Sequence, residues 1–91
     1  MNDSELMTLL ESQGYENLRK LPDGMWIGIM PMLFTTGLFV GLDQRGWDRR
    51  YCYEHEKDAA RAAFEWDGQG APPGPWIKEK PSNRLGPGAT K

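Results

Sequence analysis

The 91-residue chain has one cysteine, Cys52, and one histidine, His55. A single cysteine excludes an intramolecular disulfide and any metal site built on cysteine alone. Cys52 and His55 stand where a strand should meet a helix, and the only further donors nearby are the acids Glu54, Glu56 and Asp58. A metal site takes three or four matched ligands, so no metal and no cofactor is assigned. Cys52 reads as a buried structural residue, and His55 as an exposed or helix-capping one. The two make a poor nucleophile–base pair, because nothing around them lowers a thiol pKa or builds an oxyanion site. The chain also lacks a phosphate-cradling glycine loop. Its carboxylate pairs (Asp43 with Asp48, Glu65 with Asp67) sit in polar turns and helix ends, not in apolar pockets that would raise a pKa for acid–base work. No catalytic constellation is present, and the expectation is a protein that is not an enzyme.

Long apolar runs are missing too. The longest, Met25 to Leu42, is broken by Gly28, Pro31, Thr35, Thr36, Gly37 and Gly41, and so lacks the unbroken stretch of a membrane span. The opening MNDSELM has neither a basic region nor an apolar core of signal-peptide type. These absences predict a soluble, cytoplasmic protein with no membrane partner.

No sign of charge dominates. The net charge is −2, which leaves no global basic field to attract nucleic acid. The charges fall in blocks: residues 1–18 and 51–67 are net acidic, and residues 19–50 and 68–91 net basic. That pattern predicts acidic helices beside a mildly basic sheet and tail.

What the chain does have is ten aromatics, four of them tryptophan, within 38% apolar residues. Aromatics bury much area per residue, so one small core is feasible at this length. Asn2 with Glu5 three residues on has the form of a capping box, and Leu6, Leu9, Leu10 and Gln13 share one helical face. A helix is expected over 3–13, ended by Gly14. Pro22-Asp23-Gly24 forms a turn. Strands are expected over Met25–Leu33, Leu38–Leu42 and Trp47–Glu54, with Asp43-Gln44-Arg45-Gly46 as the last hairpin turn. Gly41 marks a place where a ring or backbone presses close. In the last strand Tyr51 and Tyr53 face one side, and Arg50 and Cys52 the other. Residues 15–21 are a strand or an irregular arm. Glu56–Asp67 is a second helix, with Ala59, Ala60, Ala63, Phe64 and Trp66 along its apolar stripe.

From Gly68 onward, ten of twenty-four residues are glycine or proline. The fold class is therefore α+β. A small antiparallel sheet of three to four strands carries two helices on one face, in α-β-β-β-α order, followed by a Pro/Gly-rich C-terminal tail. A single domain spans 1–81, with 69–81 docked on it, and 82–91 is expected to be a flexible C-terminus.

Two surfaces follow. Arg45, Arg49 and Arg50, with Arg19 and Lys20, interleave with Trp47, Tyr51 and Tyr53 in a pattern that can stack on single strands. The α-β-β-β-α order is also that of double-stranded RNA-binding domains, but Glu54, Glu56 and Asp58 stand where those domains need base. The tail PPGPWI either closes over the domain's own core through Trp76 or offers Trp76 to a partner.

The run from Arg50 to Ile77 resembles the C-terminal half of small uncharacterised proteins of bacteria, phages and prophages. The resemblance rests on Tyr51, Cys52, Tyr53, Ala59, Ala62, Trp66, Asp67, Gly68, Pro72, Pro73, Gly74 and Trp76, about a third of the chain. It carries no activity across and implies only a mobile-element context. In that context a small acidic protein works by binding and blocking a host or defence protein, as anti-CRISPR proteins do. The leading expectation is a non-enzymatic protein-interaction module, an inhibitor or accessory factor. Its partner-binding residues are Trp26, Arg45, Trp47, Arg49, Arg50, Tyr51 and Trp76, on an exposed sheet face beside the tail. The alternative is a nucleic-acid-binding module using the basic aromatic sheet face. A homodimer that buries the spare aromatics is a third arrangement.

Overall fold

A computed structural model describes residues 1–81. The expected flexible C-terminus, 82–91, lies outside the described residues. In chain order the elements are α1 (Asp3–Ser12), β1 (Glu16–Lys20), β2 (Trp26–Pro31), β3 (Thr36–Val40), β4 (Arg49–Tyr53), α2 (Glu56–Glu65) and β5 (Trp76–Lys80). The strands form one antiparallel sheet in the order β1-β2-β3-β4-β5. The α+β class holds, with five strands where the sequence predicted three or four. Residues 15–21, expected as a strand or an irregular arm, supply the fourth strand, and the tail supplies the fifth.

Local chemistry explains most of the boundaries. The Asn2 side chain accepts from the Glu5 backbone N–H at 2.8 Å, and Glu5 accepts from the Asn2 N–H at 3.0 Å, which completes the capping box at the start of α1. Pro31 is the last residue of β2, where its missing N–H costs no interior ladder bond. The β2–β3 loop is Met32–Thr35, closed by the Met32 N–H donating to the Thr35 carbonyl at 2.7 Å. In the β3–β4 connection the Asp43 carboxylate accepts from the Arg45 and Gly46 N–H groups at 2.7 and 3.1 Å, so the Asp-x-x-Gly turn forms as expected. Gly41 has φ +78, and a Cβ there would overlap the Asp48 carboxylate. What presses on this glycine is an acid, not a ring.

The sheet is apolar on both faces, so both need cover. Ile27, Ile29, Leu38, Val40, Tyr51 and Tyr53 pack against Ala59, Ala62, Ala63 and Trp66 of the α2 side. The alternate positions Trp26 and Phe39 join Leu42, Trp47 and Leu10 of α1 in a second core, with Tyr15, Leu18, Met30 and Met32 around it. The two helices therefore lie on opposite faces, not on one. The alternation of Trp26, Gly28 and Met30 against Ile27 and Ile29 is the cause, because both sets are apolar or small.

Helix α2 has no basic residue in its last turn. Arg19 of β1 supplies one: its Nε donates to the Ala63 carbonyl at 2.9 Å, and Nη2 donates to the Trp66 carbonyl. A guanidinium on the orphan carbonyls satisfies them and complements the helix dipole.

The tail returns to the core before it becomes a strand. Pro72 is buried, and the Trp66 indole donates to the Gln69 carbonyl at 3.1 Å. The Gly74–Pro75 peptide bond is cis. β5 then pairs with β4, with Trp76 opposite Tyr53, Lys78 opposite Cys52, Glu79 opposite Tyr51 and Lys80 opposite Arg50. No helix among the described residues is long and apolar enough to cross a membrane.

Candidate interaction surface

The seven sequence-predicted contact residues are not gathered on one exposed face. Trp26, Trp47 and Tyr51 are buried, which corrects the expectation that they form an open aromatic sheet. Trp47 meets Phe39 edge-on at 5.3 Å, and Phe39 in turn meets Tyr15 at 5.2 Å. Tyr51 lies under Trp76, ring to ring at 5.0 Å, on the α2 side. Trp76 is half-buried, and its indole donates to the Pro72 carbonyl at 3.1 Å. It closes over the domain's own core. The physical reason is area: a tryptophan in a chain this short contributes more by filling the core than by standing in water.

The arginines divide between places. Arg45 is exposed at the tip of the β3–β4 turn. Arg49 pairs with Glu79 of β5. Arg19 is engaged on α2, and Lys20 pairs with Asp3 at 2.9 Å. That ion pair holds the Asp3 carboxyl below its ordinary value. Arg50 points the other way from Arg49, as alternation requires. Its guanidinium lies 5.6 Å from the Trp47 ring and 5.9 Å from that of Phe39.

Arg50 has room to lie there because Gly37 has no side chain. A Cβ on Gly37 would stand 2.6 Å from the Phe39 ring and 3.3 Å from Arg50 Cδ. Among the described residues no carboxylate pairs with Arg50. Its Nε is buried without a partner, and Nη1 donates only to the Met32 thioether Sδ at 3.7 Å. Sulfur is a weak acceptor.

Arg50 lines a cavity of about 370 Å³ together with Met32, Leu33, Phe34, Thr35, Cys52 and Lys78. Cys52 is 2% exposed. Leu33 and Phe34 are 86% and 85% exposed at the tip of the β2–β3 hairpin. Lys80, opposite Arg50 on β5, extends the positive charge along the same face. α1 packs chiefly against β1 on that face, at the opposite edge of the sheet from β5.

Sequence reading missed Leu33, Phe34, Met32, Gly37 and Lys78. It merged the first three into a strand or its end. The available signal was Pro31: a strand ending there leaves Met-Leu-Phe-Thr as a loop, where apolar side chains have no core to enter. His55 holds the N-cap position of α2 without a side-chain capping bond, and no group of three or more His, Cys, Asp or Glu among the described residues is placed to hold a metal.

No protein-family model matches the chain, and neither a curated protein nor a solved structure matches it.

Proposed function

We propose that the chain is a small, non-enzymatic protein-interaction module, and that its contact surface is the β2–β3 hairpin tip with the adjoining Arg50, Lys78 and Lys80. The observation that carries this is the exposure of Leu33 and Phe34, 86% and 85%, on a loop held by the Met32–Thr35 hydrogen bond. Two adjacent large apolar side chains on a braced turn are a ready anchor. Burying each against a partner contributes roughly 1.5–3 kcal/mol. The cations beside them match an acidic partner surface and give it orientation. On this reading the partner is a host or defence protein that the module inhibits, which is what the resemblance of Arg50–Ile77 to phage and prophage proteins implies.

The nucleic-acid reading has less support. Base stacking needs open aromatic faces, and Trp47, Tyr51 and Tyr53 are buried. Arg19 and Arg49 of its basic face are already engaged.

The test is affinity capture from host lysate with nuclease present, using the wild-type chain and a Leu33→Ser, Phe34→Ser variant side by side. A stoichiometric protein held by the first and lost from the second supports the reading. Equal retention by both removes this surface from consideration, and recovery that needs intact nucleic acid moves the function to nucleic-acid binding.

A further inference from the structure

The Arg50 cavity specifies which chemical group the partner brings. This step rests on the reading of the hairpin tip as the contact surface. A half-buried guanidinium usually has a carboxylate beside it, because removing a cation from water is costly unless it is paired. Arg50 has two aromatic rings and a thioether instead. The rings offset part of the desolvation. The thioether at Nη1 does little, being a long contact to a weak acceptor. The Met32 side chain can also move aside: it is half-buried, unbranched and soft, and belongs to the loop and not to a strand.

We infer that a partner Asp or Glu side chain enters this cavity and takes the place of the Met32 thioether at Arg50 Nη1, with Lys78 as the second cation. Leu33 and Phe34 then cover the new ion pair and exclude water from it, which strengthens a charge-assisted hydrogen bond. The cavity favours a single carboxylate on a peptide over a nucleic-acid backbone. It holds two cations between apolar walls, not a track of cations at phosphate spacing, and it has no open aromatic stack.

The experiment uses the whole chain labelled with ¹³C at the methionine methyls. Met32 is assigned through Met32→Leu. The probes are acetyl-Leu-Glu-Leu-amide, its Gln counterpart and an oligothymidylate, each at low salt. The expected result is a saturable shift of the Met32 methyl and of the Arg50 side-chain N–H with the Glu peptide, with Kd on the order of 1 mM and binding at least about ten-fold weaker for the Gln peptide. Arg50→Lys keeps a charge over the rings but loses the guanidinium fork, and should weaken the Glu peptide while leaving spectra of the α2-side core unchanged. Lys78→Gln should weaken it less. No saturable shift, equal shifts from the Glu and Gln peptides, or an undiminished shift in Arg50→Lys overturns the inference. A stronger response to oligothymidylate overturns it in favour of nucleic acid. The capture experiment can fail separately. If the Leu33→Ser, Phe34→Ser variant still retains the partner, the surface reading is wrong even where the Glu peptide binds, and the inference about the partner falls with it.

Discussion

The Tyr53 hydroxyl donates to the Pro73 carbonyl at 2.6 Å, from a residue with no exposed surface. This bond ties the proline-rich segment to the end of β4, just ahead of the start of β5. Tyr53→Phe removes the donor and leaves the ring. It should cost about 1 kcal/mol, seen as a melting temperature lower by ~4–8 °C. Amide exchange should quicken in β5 before β2 or β3. An unchanged β5 would mean that the β4–β5 pairing and the Trp76 contacts hold the tail without this bond.

Burial pushes the Tyr53 phenol well above its ordinary value, and burial raises that of Tyr15 as well. A raised folded-state pKa means that the stabilisation is complete below the unfolded value of 10.0 and is lost as pH rises above it. Denaturant midpoints should therefore be flat toward pH 9 and fall beyond about pH 10. The fall should be shallower in Tyr53→Phe. Equal slopes in the two proteins would assign the alkaline loss to other groups.

Gly41 takes a left-handed conformation, φ +78, against the Asp48 carboxylate. Gly41→Ala strains the backbone and displaces that acid. A cost of about 1–3 kcal/mol in chemical denaturation is expected. The same substitution at Gly24, where φ is +93 but nothing lies near, carries the backbone strain alone and should cost less. Equal losses at the two sites would show that the contact with Asp48 contributes nothing.

Arg19 on the last carbonyls of α2 predicts another asymmetry. Arg19→Met keeps the aliphatic stem but leaves the Ala63 and Trp66 carbonyls without their donor. Roughly 1.5–3 kcal/mol should be lost, as for a hydrogen bond from a charged group. Fraying should begin at the C-terminal turn of α2, which amide exchange reads directly. Lys20→Met, which breaks the exposed pair with Asp3, should change stability far less than Arg19→Met does, because solvent screens that pair.

Much of the fold can be read from residues whose local chemistry is decisive. Asn2 with Glu5 announces α1, Asp43 with Gly46 the last hairpin turn, and Ala59, Ala63 and Trp66 the buried side of α2. Phe64, expected on the same stripe, is instead 80% exposed, and Ala62 is buried in its place because its smaller side chain lets the helix sit close on the sheet. The alternation of Tyr51 and Tyr53 against Arg50 and Cys52 is also found as expected. β1 was legible only as one of two alternatives, a strand or an irregular arm, and β5 was not legible. Their sequences, ENLRK and WIKEK, are mixed because edge strands pair on one side only and stay largely exposed. Their strand character comes from β2 and β4, the neighbours that they pair with.

The site was less legible than the fold. Tryptophan and arginine content drew attention to Trp26, Trp47 and Tyr51, which the two cores absorb. Arg50 is the predicted residue that lines the cavity. Its setting depends on Gly37, distant in sequence, leaving a gap for it, and on Met32 arriving from another loop. No spacing rule along the chain carries that information.

The central claim is that Leu33 and Phe34 act in binding and not in folding. The most direct measurement sets thermal unfolding beside titration of the captured partner, for the wild-type chain and the Leu33→Ser, Phe34→Ser variant. The account predicts stabilities within about 0.5 kcal/mol of each other and an affinity weakened by at least about a hundred-fold. An unchanged affinity, or a variant that loses its fold, would contradict it.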